Sequence, residues 1–287
     1  MICVILLKKK ENAMSVILGI DVGGSTTKIV GFDHNKNLIS PMFVKANDPL
    51  TSLYGAFGKF TDTNGISLSD IEKITVTGVG SSFINKPLYG VECQHISEFE
   101  CIGLGGLYLS GLDRAVVVSM GTGTAIVHAK NGTEPKYLGG TGVGGGTLIG
   151  LSKQLLGVSD IDAIVELAKD GNLANVDLMV SDITRKDLPG MSSNLTAANF
   201  GKLSDLATKG DLALGLINMI FESVAMLSLF ASRASGIDNI VMTGNLTTLH
   251  QAKPIFSSLT SIFDVNYIVP EMSNFSTVIG AALSVIR

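Results

Sequence analysis

The chain has 287 residues, of which 46% are hydrophobic and 16% charged, and its formal net charge is -4 at pH 7. This composition excludes a disordered protein and a collagen-like repeat, and the length allows two lobes with a sizeable core. No basic run extends beyond Lys8-Lys9-Lys10, which argues against a nucleic-acid partner.

The N-terminal segment MICVILLKKK begins apolar and ends basic, the reverse of a signal peptide. We expect residues 1–13 to be a disordered extension ahead of a start at Met14. The three cysteines have no zinc-site spacing, which is typical of a reducing compartment. No apolar stretch is long and glycine-free enough to cross a membrane. We therefore expect a cytoplasmic protein without a membrane partner.

The first lobe, expected over residues 14–112, opens with an apolar strand from Val16 to Ile20 and the turn DVGGSTTK at Asp21–Lys28. A second strand over residues 28–32 and the turn residues DHNKN at Asp33–Asn37 predict a hairpin. The pattern then predicts a helix at Pro49–Phe60, a buried strand at Lys73–Thr77 that ends in Gly78-Val79-Gly80, and a helix from Glu98 to about Ser110.

The second lobe, expected over residues 113–287, repeats this opening with a strand, the turn SMGTGT at Ser119–Thr124, a return strand and the hairpin turn KNGT at Lys130–Thr133. The repetition predicts a duplicated α/β architecture with a cleft between the lobes. Later elements are expected as helices ending at Leu156 and covering Ile161–Lys169, Asn175–Val180, Asp211–Ser235 and Phe275–Arg287, with a strand at Ile240–Thr243.

The two glycine-threonine turns indicate a polyphosphate ligand. Glycine lets the backbone approach an anion, and neighbouring hydroxyls and amides can donate hydrogen bonds to it. Asp21 ends a strand, where a carboxylate suits Mg²⁺ held through water, and Ser25, Thr26 and Lys28 can face the phosphates. Neither turn has the spacing of a P-loop or of a Rossmann fingerprint. The alternative is an acidic hairpin turn that binds nothing.

Glu98 is the candidate general base. Ser97 and Glu100 have the spacing of a capping box, which gives both of them a structural role. Glu98 has no such role in the first helical turn, where the helix dipole favours its ionised form. An ionised carboxylate beside a phosphate site can accept the proton of an alcohol. Because acidic residues are common in first helical turns, a purely structural role is the alternative.

Two other glycine-rich segments are candidate nucleotide contacts. The run Gly139–Leu151 precedes a helix and can offer backbone amides and a helix N-terminus to an anion or a ribose; the alternative is a flexible loop. Gly244-Asn245 follows a strand and is a shorter version of the same pattern, although such a pair is commonly an ordinary turn.

These motifs resemble a known family. DVGGSTTK, MGTGT, the late strand with Gly-Asn and the duplication are similar to the acetate and sugar kinase, Hsp70 and actin superfamily, which implies an actin-like (ribonuclease H-like) fold of two lobes with an ATP cleft between them. Within it, the chain resembles the type II, eukaryotic-like pantothenate kinases from Met14 to Arg287. The motifs that carry this resemblance are EFE at Glu98–Glu100, GGTGVGGGTLIGL at Gly139–Leu151, LPG at Leu188–Gly190, LTAANFG at Leu195–Gly201 and FSTVIGAAL at Phe275–Leu283.

The resemblance implies a Mg²⁺-dependent homodimer that phosphorylates pantothenate with ATP to 4'-phosphopantothenate, the first step of coenzyme A biosynthesis. It implies that Glu98 is the catalytic base and that Asp21 holds Mg²⁺ through water. The implied nucleotide contacts are Asp21, Gly23, Gly24, Ser25, Thr26, Thr27, Lys28, Gly121, Thr122, Gly123, Gly144, Gly145, Gly146, Thr147, Leu148, Ile149, Gly244 and Asn245. The implied substrate contacts are Tyr137, Gly139, Gly140, Thr196 and Ala198.

The chain departs from the family at one substrate position, where Tyr137 replaces an arginine. Tyrosine keeps a hydrogen-bond donor and lacks the charge and the fork of a guanidinium; Lys136 and Arg185 are the cations that can replace it. Two alternatives stay open. One is an ATPase activator of a 2-hydroxyacyl-CoA dehydratase, with Cys93 and Cys101 as candidate iron-sulfur ligands, and the other is a kinase-like paralogue with another substrate or no activity.

Overall fold

The computed structural model describes residues 15–23, 26–45, 48–184, 193 and 195–286. Several sequence-based predictions lie outside the described residues: the extension over residues 1–13, Gly24 and Ser25 of the first turn, Arg185, the LPG motif at Leu188–Gly190, and Arg287.

The first five-stranded sheet has the order β3-β2-β1-β4-β5. β2 runs antiparallel to both β1 and β3, while β4 runs parallel to β1 and β5. Its strands are β1 Val16–Val22, β2 Thr26–Asp33, β3 Leu38–Lys45, β4 Ile71–Thr77 and β5 Cys93–His95.

The second five-stranded sheet has the order β12-β11-β6-β7-β8, with the same pattern of antiparallel and parallel pairs. Its strands are β6 Arg114–Met120, β7 Thr124–Lys130, β8 Lys136–Thr141, β11 Asn239–Thr243 and β12 Asn266–Ile268. The five strands correspond one to one with those of the first sheet, which confirms the predicted duplication. β9 Leu178–Met179 and β10 Thr196–Ala198 pair separately.

The helices begin and end at residues suited to capping. Asp48 accepts a hydrogen bond from the Thr51 amide before α1, and Gly65 ends α1 in the left-handed conformation. Thr208 and Asp211 form a capping box at the start of α6. The helices are α1 Pro49–Asn64, α2 Glu98–Ser110, α3 Gly145–Leu156, α4 Ile161–Ala168, α5 Val180–Ile183, α6 Lys209–Ser235, α7 Ala252–Phe263 and α8 Ser276–Leu283.

The described chain forms two compact units. One comprises the residues through Cys101 together with those from Ala281 onward, and the other comprises Ile102–Gly280. The division falls inside α2 and α8, whereas the sequence suggested a boundary between residues 112 and 113. The function assigned to each lobe stays a prediction.

Each unit has its own core. In the first, α1 packs on one face of the sheet through Leu53, Phe57 and Phe60. In the second, alternate residues of β6 point to opposite faces: Val116 and its like-facing neighbours join a cluster with α6, whereas Val117 joins a cluster with α2. Both faces of the second sheet are therefore covered.

Several short elements were missed or wrongly assigned in the prediction from sequence. Strands β3, β5, β8 and β12 and helix α7 were not predicted, and the expected helix at Asn175–Val180 is wrong. That segment forms a 3-10 turn at Leu173–Asn175, then β9, then the start of α5. The terminal helix is also shorter than expected, because α8 ends at Leu283.

Among the described residues, α6 is the one helix long and apolar enough to cross a membrane by length and composition, which corrects the expectation that the chain has no such stretch. In the structure, 61% of its most apolar window is buried inside the protein. The capped start, the left-handed Gly236 at its end and this burial identify α6 as a core helix of the second unit.

Candidate active site

Three strands of the first unit place a row of polar side chains on one sheet face. Asp21 pairs with Lys28 of β2 and with Thr77 of β4. Directly paired residues of a sheet point to the same face, so Lys28, Asp21 and Thr77 lie side by side. The structure thus brings together two predicted phosphate or metal contacts and adds Thr77.

The Asp21 and Lys28 side chains form a pair of opposite charge, in which Lys28 is buried and Asp21 is partly buried. Burial raises the pKa of Asp21, and the positive charge of Lys28 opposes that rise. Burial likewise lowers the pKa of Lys28, opposed by Asp21. Since both shifts disfavour the charged forms, a ligand that brings charge or water to this position would change the ionisation of both groups.

Glu98 begins α2 in the neighbourhood of this row. Burial raises the pKa of its carboxyl group, and the negative charge of Asp21 raises it further. Glu98 is nevertheless an exposed residue, so its carboxylate is accessible to a substrate. A solvent-accessible carboxyl group with a raised pKa suits a general base. The capping box at Ser97 and Glu100 stays a prediction.

Cys101 lies one turn beyond Glu98 and is fully buried. Burial raises the pKa of its thiol to about 12, with smaller contributions from Asp21, Glu98 and the opposing hydroxyl of Thr77. The thiol is therefore protonated at neutral pH, and Cys101 packs as a small apolar side chain.

Gly78 lets the end of β4 approach Asp21. Its φ of +83° is a left-handed conformation, and a Cβ at this position would lie 2.6 Å from the Val22 carbonyl oxygen and also overlap Asp21 Oδ1. Gly80 approaches the same strand, where a Cβ would lie 3.0 Å from that carbonyl oxygen. Only glycine fits at Gly78 without moving the backbone.

The first turn is closed by a hydrogen bond from the Gly23 amide to the Thr26 carbonyl oxygen, 2.9 Å long. Thr27 pairs with Val22, one position along from Lys28, so its side chain points to the opposite sheet face. Thr27 is 1% exposed. The structure therefore separates Thr27 from the row of Asp21 and Lys28, and its nucleotide contact stays a prediction.

The second turn occupies the equivalent position in the second unit. It lies between Met120 and Thr124, and the Gly121 amide donates to the Gly123 carbonyl oxygen at 2.9 Å. Thr122 is the exposed side chain of this turn. The predicted hydroxyl thus stands at the tip of a tight glycine turn.

The start of α3 braces this second turn. The amides of Gly145 and Gly146 donate to the carbonyl oxygens of Gly121 and Thr122, each at 2.8 Å. A Cβ at Gly144 would lie 2.7 Å from the Thr122 carbonyl oxygen, so the glycine run permits this close contact. Two amides proposed for the nucleotide are thus engaged within the protein.

The next three predicted contacts of α3 differ in their surroundings. The Thr147 hydroxyl donates to the Gly142 carbonyl oxygen at 2.8 Å and receives the Gly144 amide at 3.2 Å. Leu148 is 1% exposed and belongs to the core, whereas Ile149 is partly buried. Thr147 and Leu148 therefore both stabilise the loop and its helix.

Gly244 brings Asn245 to the same turn. Gly244 has a φ of +94°, and a Cβ there would lie 2.6 Å from the Met120 amide nitrogen. Its own amide donates to the Ser273 carbonyl oxygen at 3.0 Å. The second unit therefore gathers three of the predicted nucleotide elements: the Gly121–Gly123 turn, the start of α3 and Gly244-Asn245.

The predicted substrate residues fall into two groups. Gly139 and Gly140 lie in β8 with Tyr137, which is 46% exposed and whose hydroxyl lies 3.0 Å from where a Gly140 Cβ would stand. Thr196 and Ala198 lie in β10. The sequence suggested a continuous glycine-rich loop, but residues up to Thr141 form an edge strand.

Thr196 lines a largely apolar cavity of about 550 Å³ in the second unit. Its hydroxyl donates to Glu222 Oε1 at 2.8 Å, and Asn199 Nδ2 donates to Glu222 Oε2 at 3.0 Å. The remaining wall includes Leu195 and Met226. The Glu222 carboxylate, with Thr196 and Asn199 bound to it, is thus part of the polar lining of the cavity.

Comparisons with known proteins agree with these features. A protein named type II pantothenate kinase from Bacillus cereus is 30% identical over 282 residues, covering 94% of this chain and 98% of its own length. Another of the same name from Oceanobacillus iheyensis is 32% identical over 243 residues, covering 82% and 86%. The Fumble family model matches residues 114–265. This chain belongs to the type II pantothenate kinase family.

The fold also resembles solved structures. An activator of the 2-hydroxyisocaproyl-CoA dehydratase from Clostridium difficile, with bound ADPNP, superposes with a TM-score of 0.65 at 17% identity, covering 94% of this chain and 93% of its own. At this identity the likeness concerns the fold alone. It confirms the actin-like fold expected of a type II pantothenate kinase family member.

The donor set around Asp21 fits a magnesium ion carried by a nucleotide. Mg²⁺ keeps much of its water and takes one or two carboxylates together with phosphate oxygens. Asp21 would supply the carboxylate here, and no cluster of three or more His, Cys, Asp or Glu side chains suited to a metal occurs among the described residues. This is compatible with Mg²⁺, which binds through few protein ligands and does not require an all-protein site.

Several residues were missed by sequence reasoning. Thr77 is the last residue of a predicted strand and Gly78 follows it, and the glycine was the available signal. Asn218 and Glu222 are polar residues four apart in an apolar helix, a spacing that places them on one face. No sequence pattern indicated that Asp177 is buried, because its segment was wrongly predicted as a helix at Asn175–Val180.

Proposed function

We propose that this chain is a pantothenate kinase that transfers the γ-phosphoryl group of ATP to the 4'-hydroxyl of pantothenate. The observation that carries the proposal is Glu98, an accessible carboxyl group with a raised pKa near the charged pair of Asp21 and Lys28, in a chain that belongs to the type II pantothenate kinase family.

Glu98 acts as the general base. Its carboxylate takes the proton of the 4'-hydroxyl as the oxygen forms a bond to the γ-phosphorus, and the bond from that phosphorus to the bridging oxygen breaks to release ADP. Lys28 offsets the charge that collects on the phosphate oxygens. Glu98 must be ionised to act, so its raised pKa sets the acid limit of the reaction.

Asp21 would hold Mg²⁺ through water, and Gly23 and Thr26 form the turn next to it. When bound, the ion would supply positive charge to neutralise the phosphates. In the second unit, Thr122 at the tip of its turn and Asn245 serve the nucleotide. The glycines of α3 act mainly by bracing the Thr122 turn, since the Gly145 and Gly146 amides already donate to it.

Pantothenate contacts β8 through Tyr137, Gly139 and Gly140, and β10 through Thr196 and Ala198. Tyr137 stands where the family has an arginine, so its hydroxyl replaces a charged donor by a neutral one. We therefore expect a weaker hold on the substrate carboxylate than an arginine would give.

The activator of a 2-hydroxyacyl-CoA dehydratase is the second candidate, since a solved activator shares the fold. Iron-sulfur clusters bind cysteine thiolates. Cys101 is fully buried with a pKa raised to about 12, which favours the kinase over the activator. Protein purified without oxygen should be colourless and free of iron; a brown, iron-containing protein would favour the activator.

A homodimer in the cytoplasm completes the proposal. The exposed face of α6 carries Leu227, 40% exposed, and Phe230, 56% exposed. Apolar side chains on one helix face suit contact with a second copy of the chain. Light scattering should give twice the mass of 30.0 kDa, and a monomer at micromolar concentration would contradict this part.

The proposal is tested with purified wild-type protein, ATP, Mg²⁺ and a panel of small alcohols, following ADP release and the mass of the product. Pantothenate, or an N-alkyl amide of it, should drive turnover and gain one phosphate. Turnover driven by a different alcohol, with indifference to pantothenate, would support the paralogue with another substrate; no turnover with any acceptor would support an inactive one.

A further inference from the structure

The segment LTAANFG at Leu195–Gly201 is held against α6 by polar side chains. Glu222 receives hydrogen bonds from Thr196 and Asn199, one at each carboxylate oxygen. One helical turn earlier, Asn218 Nδ2 lies 3.5 Å from the Thr196 hydroxyl oxygen. Asn218 and Glu222 interrupt an otherwise apolar stretch of α6, so the helix places two polar groups where this segment crosses it.

Asp177 is the buried centre of the arrangement. Its side chain is fully buried, and its carboxylate receives the Phe200 amide at 2.8 Å and Asn218 Nδ2 at 3.0 Å. A buried carboxylate requires such donors, because an unsatisfied charge in the interior is costly. Asp177 therefore links the backbone at one end of the motif to the side chain that reaches Thr196 near its other end.

Phe200 shows why the backbone needs this link. Its φ of +58° is unusual for a residue with a side chain. Its ring packs onto α6 at Gly215, where a Cβ would lie 3.3 Å from the ring. The hydrogen bond to Asp177 and this contact stabilise a conformation that the chain would otherwise avoid.

We propose that Asp177 is a positioning residue for the substrate site, acting through Asn218 and Phe200 on the orientation of Thr196. This inference rests on the proposed function, in which Thr196 contacts pantothenate. Asn218 turns its NH₂ group toward both Asp177 Oδ2 and the Thr196 oxygen. The Thr196 oxygen is then an acceptor toward Asn218, and its hydroxyl proton is directed to Glu222.

Asp177→Asn is the most direct test, because it keeps the size of the side chain and reverses one hydrogen bond. The introduced NH₂ group faces the NH₂ group of Asn218, which must rotate its amide and present its oxygen both to the introduced amide and to Thr196. The Thr196 hydroxyl then has a second acceptor and loses its fixed direction. We expect KM for pantothenate to rise at least fivefold, with kcat and KM for ATP within twofold of wild type.

Asn218→Ala separates the two arms of the link. It removes the contact to Thr196 and leaves the hydrogen bond from Phe200 to Asp177. KM for pantothenate should again rise, while hydrogen exchange at the Phe200 amide stays close to wild type. In Asp177→Asn that amide should exchange about fivefold faster, since a neutral acceptor replaces a charged one. If Asp177→Asn does not fold, Asn218→Ala carries the kinetic test.

Asp170→Asn is the matched control, with the same chemical change in an exposed carboxylate outside this arrangement. Its kinetics should match wild type. Unchanged KM for pantothenate in both Asp177→Asn and Asn218→Ala, or equal losses in kcat and in both KM values, would overturn the positioning role. A wild-type protein inactive with pantothenate would instead overturn the proposed function and, with it, this inference.

Discussion

The two units share one strand topology, and their first turns differ in chemistry at matching positions. Asp21 is the next-to-last residue of β1 and pairs with Thr77, the last residue of β4. Ser119 is the next-to-last residue of β6 and pairs with Thr243, the last residue of β11. An acid in one unit therefore corresponds to a hydroxyl in the other.

The difference extends to the neighbouring strand. Lys28 pairs with Asp21 in the first unit, and Ala125 pairs with Ser119 in the second. The first turn thus has a charged pair with Glu98 nearby, whereas SMGTGT contains no ionisable residue. The same backbone thus occurs twice, and we infer that the first unit supplies the charged groups for phosphoryl transfer while the second adds uncharged contacts to the nucleotide.

Replacing Asp21 by the residue of the matching position tests this division most severely. Asp21→Ser removes the carboxylate proposed for Mg²⁺ and takes away the negative charge beside the buried Lys28. We expect turnover to fall by about 10³-fold, since electrostatic stabilisation is the main contribution to phosphoryl transfer. The measurement is pantothenate-dependent ADP release at saturating Mg²⁺.

The control at the matching position of the second unit is Ser119→Ala. It removes a hydroxyl next to a turn that is held mainly by backbone hydrogen bonds. Turnover should stay within about threefold of wild type, given that one neutral hydrogen bond contributes about 1 kcal/mol or less. If both variants lost turnover equally, the proposed division between the units would be wrong.

Glycines at the matching positions should be equally sensitive, because the backbone is what the units share. Gly78 and Gly244 both follow the last residue of their strands with φ of +83° and +94°. Alanine at either position combines a left-handed backbone with overlap, at an expected cost of about 2–4 kcal/mol in the free energy of unfolding. Urea denaturation measures it.

Gly58→Ala is the matched control for these substitutions. Gly58 lies inside α1, and a Cβ there would meet nothing within 4 Å. Alanine should stabilise the protein by about 0.5–1 kcal/mol through helix propensity. Tolerance of alanine at Gly78 or Gly244 would show that the close approach at that position is not required.

The charges also predict a pH effect on activity specific to the first unit. Because burial and Asp21 raise the pKa of Glu98 above its ordinary value of 4.5, kcat/KM should fall on acidification at a higher pH than for an ordinary glutamate. In Asp21→Ser the remaining activity should lose this shift in part, so its acid limb moves to lower pH. If the acid limb of the pH profile did not move, Asp21 would not be a cause of the raised pKa of Glu98.

A carboxylate of the second unit should affect stability alone. Asp211 accepts hydrogen bonds from the Thr208 and Asn172 amides, which lower its pKa to about 2 from an ordinary 3.8. A lowered pKa stabilises the folded state above the ordinary value, and this contribution is lost as pH falls toward 2. Asp211→Asn should cost about 1–2 kcal/mol at pH 7 and progressively less below pH 4.

Urea denaturation between pH 7 and pH 2 measures this difference in the free energy of unfolding. The exposed Asp170→Asn is the control and should leave stability unchanged. A constant gap between wild type and Asp211→Asn across that range would contradict the assigned role of Asp211.

The sequence predicted the paired strands best, since β1, β2, β6 and β7 are apolar runs joined by recognisable turns. The edge strand β3 was missed because it is only partly buried and has no strict alternation. β8 was missed because Gly139 and Gly140 imply a loop by composition, whereas pairing with β7 makes residues up to Thr141 a strand.

The candidate site was predictable only in part. Asp21, Lys28 and Glu98 are visible as charges next to turns, so local pattern was sufficient for them. The roles of Asp177 and Asn218 depend on a hydrogen bond between residues 41 positions apart in the sequence. Such contacts have no local signal, and here propensity favoured a helix where β9 forms.

The central claim is that Glu98 is the general base of the reaction. Its most direct test compares Glu98→Gln with Glu100→Gln, the same change two residues along α2, by measuring pantothenate-dependent turnover and ATP affinity in the same samples. Glu98→Gln should lose turnover by about 10²–10⁴-fold with ATP affinity unchanged, while Glu100→Gln stays active. Full turnover in Glu98→Gln, or equal losses in both variants, would contradict the account.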